Sequence, residues 1–342
     1  MYNAAKETKE VAYQADMQLS GYDLSKQLTE CRKEFNWLKE IGVHTLQGVI
    51  EQIDRSYQNF FSKRTKYPKW AKKKDWKSFG FKQYNVSEAN PKGSLRQTVS
   101  GFRLPKFGEV KVFNNRTIDG NIKTARLIKK ADGIYLHVTA EVKNKIYCTK
   151  ENQVGIDMGI KYFCVTSDGE FIDNPRFLEK QLKKLRVEQR KLSRKFNKGV
   201  KVQSKNFYKQ VNVVAKLYKK VKDARKDFLH KTSTCLAKNY SIVVHEDLNI
   251  NGMVRSKLSR HINDVAWRTF FDMLAYKTKV VRVNPAYTSQ TCSCCGHVAK
   301  ENRLTQSIFK CVSCGHEDNA DLNATYNILK LGASSINVNV EH

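Results

Sequence analysis

The sequence predicts an α+β multidomain chain. A helical module comes first, then a small strand-rich, barrel-like unit, then a part in which buried strands alternate with long helices around a metal knuckle. Three observations predict it. Apolar residues recur at three- and four-residue steps up to about residue 65, alternate in short runs between turns from about residue 78 to 144, and return to long helical repeats after residue 177. Two short apolar strands, around residues 154–160 and 242–248, each carry an acid. Two C-x-x-C-G pairs stand close together, at Cys292/Cys295 and Cys311/Cys314.

In the first part, Leu46, Val49, Ile50, Ile53, Tyr57 and Phe60 give one face of a helix, and Ser25 to Lys39 can form a partner with Leu28, Phe35 and Leu38 inward. The segment from Lys63 to Lys74 then interleaves cations with Tyr67 and Trp70. Cations pair with phosphates while aromatic faces stack on bases, so Lys69, Trp70, Lys72 and Lys73 are candidate nucleic-acid contacts; a solvated basic linker is the competing reading. Strands are expected at residues 109–113, 122–128 and 134–142, separated by turn signals such as Asn114-Asn115, Asp119-Gly120 and Asp132-Gly133. Nothing in that stretch looks catalytic.

The strand around Val154-Gly155-Ile156-Asp157-Met158-Gly159-Ile160 buries a carboxylate, which needs a cation or metal nearby, and Gly159 is expected to admit a close backbone approach. Two long helices follow from Phe177 to Tyr240, broken near Asn197-Lys198-Gly199. Between Lys183 and Lys226 there are 17 Lys and Arg residues against two acids, Glu188 and Asp223. Such a hairpin repels itself unless a polyanion lies along it, which makes Lys191, Arg194, Lys195, Lys205 and Lys209 candidate contacts. The strand at Ile242 to Leu248 would deliver Glu246 beside Asp157 if the two strands pair. A helix from about Ile262 to Tyr276 and a strand at Val280 to Val283 come next.

A two-residue gap lets two thiolates bind one tetrahedral ion, and the glycine after each pair, Gly296 and Gly315, permits the tight turn. No secretory leader precedes these residues and a dithiol redox site needs one pair, so structural Zn²⁺ on Cys292, Cys295, Cys311 and Cys314 is favoured over a disulfide or redox site. Cys294 is the spare thiol of the run. Asp318 or Asn319 can cap the helix that follows, and Asp321 falls in its first turn; alone, that position reads as a helix-start carboxylate.

The net charge of +29, from 62 basic against 33 acidic residues, points to a polyanionic partner, nucleic acid before a membrane surface. No apolar run is long enough to span a bilayer and no lipidation signal is present, so the chain reads as soluble and intracellular. The sequence carries no signal for oligomeric state.

The segments GIDMGI (155–160), RKLSRK (190–195), DFLHKTS (227–233), HEDLNINGM (245–253), TSQTCSCCG (288–296) and CVSCGHEDNADLNATYNI (311–328) resemble, in order and spacing, the TnpB (OrfB) proteins of compact bacterial insertion sequences. These are RNA-guided DNA endonucleases related to type V CRISPR effectors, and the resemblance covers most of residues 20–332. It implies a helical recognition lobe with its basic-aromatic linker over residues 1–75 and a wedge domain over 76–147. It further implies a RuvC-like (RNase H type) nuclease domain over 148–342 with the zinc ribbon at 288–317. Asp157, Glu246 and Asp321 become its three acids, with Asp247 and Asp318 in local structural roles. Three such carboxylates can hold two Mg²⁺ (or Mn²⁺) ions. The implied partners are a transposon-derived guide RNA and target double-stranded DNA, in the cytoplasm at the nucleoid. Against the family pattern, a further strand and part of a helix are expected before Tyr2-Asn3, and the link around Lys277-Thr278-Lys279-Val280 is several residues shorter. A non-cleaving, guide-directed repressor or regulator of transposition is the alternative function; relatives of that kind are expected to lose an acid. A strand transferase in its own right would need a separate tyrosine or acid centre, and the sequence shows none.

Overall fold

The computed structural model describes residues 1–72, 78–83, 94–113, 116–143, 147–148, 151–200, 202–253, 259 and 264–338. Lys73, Lys74 and the Asn114-Asn115 turn lie outside these residues. The chain divides into two compact units, residues 1–144 and 145–342.

In the first unit, helices α1 (Tyr2–Gln14), α2 (Gly21–Glu34), α3 (Trp37–Glu40) and α4 (Val43–Phe61) share a core of Leu24, Leu28, Leu38, Leu46, Ile50, Ile53 and Tyr57. Helix α2 starts at a capping box: Ser20 Oγ accepts from Asp23 N, and the Asp23 carboxylate accepts from Ser20 N. The single helix expected from Ser25 to Lys39 is interrupted. Phe35 is extended and half-exposed at 50%, and Leu38 reaches the core from α3, because the chain must turn back toward α4. Lys6 is buried at 2% exposure. Its ammonium pairs with Glu10 and lies 4.0 Å from the Trp70 ring centroid and 5.1 Å from that of Tyr67, contacts that offset its desolvation.

The strands of this unit form two antiparallel sheets of three. One is ordered β1 (Ser78–Lys82), β5 (Asn121–Lys130), β6 (Gly133–Glu141); the other is β2 (Arg96–Gln97), β3 (Gly101–Leu104), β4 (Gly108–Lys111). Phe81, Leu95, Phe102, Leu104 and Ala125 form a core common to both. Among the described residues no strand pairing joins the two sheets.

The second unit is built on a five-stranded sheet ordered β11 (Lys279–Val283), β10 (Ile242–Glu246), β7 (Gln153–Met158), β8 (Tyr162–Thr166), β9 (Phe171–Asp173). Strands β11, β10 and β7 are parallel, while β8 and β9 are antiparallel additions. Buried on both faces, β7 and β10 read as near-continuous apolar runs. Helices α5 (Phe177–Arg194) and α6 (Lys205–Asn239) form the hairpin, with Ser204 capping α6 through Phe207 N. The last third of α6, through Leu229 and Leu236, joins Phe163, Trp267, Phe270 and Leu274 in the main core. After the short α7 (Ile250–Met253), helix α8 (Trp267–Ala275) begins beyond a left-handed residue, Ala266 (φ 57°), which breaks the helix expected from about Ile262. The knuckle strands β12 (Ile308–Lys310) and β13 (Glu317–Asn319) lead into α9 (Ala320–Val338).

Candidate functional site

Asp157 lies near the C-terminal end of β7 and Glu246 closes β10. These strands are parallel neighbours with His245 opposite Ile156, so the next residues, Glu246 and Asp157, stand level. Asp321 arrives from the first turn of α9, where Asn319 Oδ1 accepts from Asp321 N at 2.9 Å and caps the helix. What brings α9 close enough is the absence of side chains. A Cβ on Gly155 would stand 2.3 Å from the Thr325 carbonyl oxygen, and one on Gly332 would stand 2.5 Å from the Val244 methyls. The helix therefore lies almost backbone to backbone on β7. The approach expected at Gly159 is a different contact, with the Tyr162 carbonyl 3.0 Å from where a Cβ would be.

The three acids share one electrostatic neighbourhood. Burial first, then the charges of Glu246 and Asp321, push the Asp157 carboxyl up to about 7, against the opposing effect of Arg303. Burial also raises Glu246, partly offset by the Thr288 hydroxyl, which donates to its Oε1. Arg303 Nη2 lies 3.3 Å from Asp321 Oδ1. Such a half-buried, acid-crowded set favours a cation. Its all-oxygen donors suit a hard divalent ion, so the residues fit Mg²⁺ or Mn²⁺. Asp247 is exposed, 4.0 Å from Arg282, and Asp318 accepts from Asn319 N, so both have local partners.

The four cysteines converge elsewhere on the unit, their sulfurs all within 4.8 Å of one another. Among the described residues this is the one group of three or more potential ligands gathered so tightly; the carboxylates stand further apart. Cys292 and Cys314 sulfurs are 3.7 Å apart, and those of Cys295 and Cys311 3.6 Å. Both are far too long for a disulfide and close to the separation of about 3.8 Å that tetrahedral Zn–S bonds of about 2.3 Å require. The Cys314 N–H donates to Cys311 Sγ and holds that thiol below its ordinary range, while the neighbouring sulfurs raise Cys295 and Cys314. Cys294 is exposed and outside the group.

Helix α9 also holds the first knuckle. Asn323 Oδ1 accepts from Ser293 N and its Nδ2 donates to Thr291 O; Asn327 Nδ2 donates to Thr288 O and Thr291 O. The knuckle segment in turn carries Thr288 to Glu246. Thr288, Arg303, Asn323 and Asn327 have no periodic or spacing signal of their own. Thr288 opens the first cysteine motif and Asn323 and Asn327 lie in the last family segment, whereas Arg303 lies in none.

The candidate cations fall in two places. Lys69 and Lys72 are exposed, whereas the exposed Trp70 ring has a face against Lys6, which leaves less of it for stacking. On the hairpin, Lys191 pairs with Glu188 and Lys195 donates to Gln210. Arg194, Lys205 and Lys209 are exposed. Among the described residues no helix is long and apolar enough to cross a membrane.

Residues 137–257 match the family OrfB_IS605, described as "Probable transposase", and residues 267–328 match the Cas12f1-like TNB domain. The chain is 35% identical over 323 residues to "Putative RNA-guided DNA endonuclease InsQ" of Escherichia coli (strain K12), covering 87% of this chain and 77% of that protein. It is 29% identical over 348 residues to "Putative RNA-guided DNA endonuclease" of Streptomyces pristinaespiralis, covering 98% and 83%. Among solved structures, a Cas12f1 chain from a complex with sgRNA and target DNA shares the fold, with TM-score 0.54 at 14% identity over 96% of this chain and 79% of that one.

Proposed function

The chain belongs to the TnpB (OrfB) family of insertion-sequence proteins, and from that premise we propose that it is an RNA-guided, Mg²⁺-dependent DNA endonuclease. The observation that carries the reading is the convergence of Asp157, Glu246 and Asp321 on one neighbourhood from two strands and a helix. The second unit is read as a RuvC-like domain, and its strand order, three antiparallel strands followed by two parallel ones, is the order expected of the RNase H type. Its partners would be a transposon-derived guide RNA and target double-stranded DNA. The +29 charge supports contact with a nucleic-acid backbone, which leaves base pairing to read sequence.

Asp157, Glu246 and Asp321 would hold the catalytic ions, and Cys292, Cys295, Cys311 and Cys314 a structural Zn²⁺. When bound, a pair of divalent ions at the acids supplies an activated water and charge stabilisation at the leaving 3′ oxygen. The chain's own residues do the rest. Thr288 fixes the Glu246 carboxylate through its hydroxyl, and Arg303 steadies Asp321 while relieving repulsion within the set. The glycine contacts of α9 set the depth of Asp321 over the sheet. Lys69, Lys72, Lys191, Arg194, Lys195, Lys205 and Lys209 would neutralise backbone phosphates.

The test is cleavage of a plasmid library by the purified protein with its flanking transposon RNA, in Mg²⁺ and in EDTA, alongside Asp157→Ala. Guide-matched cuts that require Mg²⁺ and vanish in the variant, with RNA binding retained, are expected. Tight RNA and target binding without cuts by the wild-type protein would replace this reading with a guide-directed regulator.

A further inference from the structure

A cavity of about 750 Å³ opens among the N-terminal helices, in the first unit and apart from the acids and the cysteine cluster of the second. Its walls are unusual for a helical core. Phe61 and Tyr13 are 70% and 71% exposed; the Phe61 ring meets Tyr57 at 6.3 Å and Phe60 at 5.4 Å and leaves most of its surface open. Tyr67 closes a third side, its hydroxyl donating to Glu10 Oε1 at 2.6 Å. That bond and the Lys6 pair occupy one oxygen of Glu10; among the described residues Oε2 has no hydrogen-bond partner, and neither do the exposed side-chain amides of Gln14 and Gln18. The loop from Phe61 to Tyr67, which joins two of the walls, carries the exposed cations Lys63, Arg64 and Lys66.

We propose that this cavity is a binding site for an unpaired base of the guide RNA. Its size lies within the range of about 300–1,000 Å³ typical of ligand sites. Uncovered aromatic faces beside free hydrogen-bonding groups are what a splayed-out base requires: a ring to stack on, then acceptors and amides for its edge. The acceptor on Glu10 favours a base that presents N–H donors. The three cations of the loop complement the phosphates on either side, a charge match that an apolar peptide would not provide. RNA is taken as the occupant because a guide keeps unpaired loops whose bases splay out; the DNA strand displaced by guide pairing is the competing occupant that the test separates. The proposal rests on the RNA-guided reading for the identity of that strand.

The experiment measures affinity of the full-length protein for RNA transcribed from the flanking element, together with 2′-hydroxyl acylation of that RNA. Phe61→Ala and Tyr13→Ala alter exposed side chains, and Phe61→Tyr keeps the ring as a control. Each alanine variant should bind about five- to hundredfold more weakly and restore reactivity at one unpaired nucleotide, while Phe61→Tyr stays within about threefold of wild type. Alanine variants with wild-type affinity and an unchanged acylation pattern would overturn the site. So would variants that lose affinity only for a DNA oligonucleotide of the same sequence, since the occupant would then be DNA. If the wild-type protein fails to bind the RNA, both the site and the RNA-guided reading fall; if it binds and cuts while the variants are indifferent, the site alone falls.

Discussion

The cysteine cluster and the carboxylate set are the two proposed metal centres, yet they are assembled in opposite ways. The four sulfurs come from two short turns within Cys292–Cys314 and stand within 4.8 Å of one another. Each turn repeats the same internal bonds, Cys292 N to His297 O and Cys311 N to His316 O, with Gly296 and Gly315 at φ 78° and 73°. The acids come from three separated elements, and burial first, then the charges of Glu246 and Asp321, raise the Asp157 carboxyl. The first arrangement is closed and made by local sequence; the second is open and made by the packing of α9 on the sheet. Structural permanence and chemical availability are thus separated within one unit, and α9 links them through Asn323 and Asn327 at one centre and Asp321 at the other.

If this division holds, damage to the closed centre should reach the open one, while damage to the open centre should stay there. The largest effect is expected from Cys311→Ser, which removes most of a metal-binding contribution of roughly 10 kcal/mol, so that zinc content falls toward zero and both melting temperature and cleavage collapse. Elemental analysis beside calorimetry checks it. Next comes Gly155→Ala, where the added methyl meets a backbone carbonyl that cannot swing aside. Displacing α9 by part of an ångström should lower cleavage on the order of 100-fold with zinc content unchanged. Gly332→Ala makes the sharper contrast, because its obstacle is the Val244 side chain; a smaller loss in single-turnover cleavage is expected, and equal losses would refute the backbone argument. Thr288→Val, which removes the hydroxyl from Glu246, should cost about 10-fold in cleavage and be rescued by Thr288→Ser. The smallest expected effect is at Arg303→Ala: taking a positive charge from the acids should lower the Mg²⁺ concentration for half-maximal cleavage by about threefold while reducing the maximal rate.

Much of this was legible in the residues because it is written locally. A two-residue gap followed by glycine specifies a knuckle wherever it occurs, and an acid inside an apolar strand announces itself at Asp157 and Glu246. Asp321 needed the family resemblance, since its position alone describes any helix start. What stayed hidden depends on neighbours distant in sequence. Nothing in the strand pattern marks the close approach at Gly155, which exists only once α9 is laid on it. No pattern marks Lys6 as buried either, and Trp70, Tyr67 and Glu10 offset its desolvation. Phe35 and Leu38 share a helical periodicity, but the break after Glu34 sends one to solvent and the other to the core. Arg303 stands between the knuckles without any pattern, so its contact with Asp321 is a product of folding alone.

The dependence of the open centre on α9 has a consequence for how the protein is made. Asp321 is synthesised 164 residues after Asp157, an interval of about 10–30 s at ordinary translation rates. During that interval the nascent chain holds at most two of the acids and no docked helix. A ribosome that stalls, or a message cut short anywhere before α9, therefore releases a polypeptide that can be basic and partly folded without being able to assemble the set. For a protein whose proposed work is cutting DNA, the three acids can act together only after translation has passed α9.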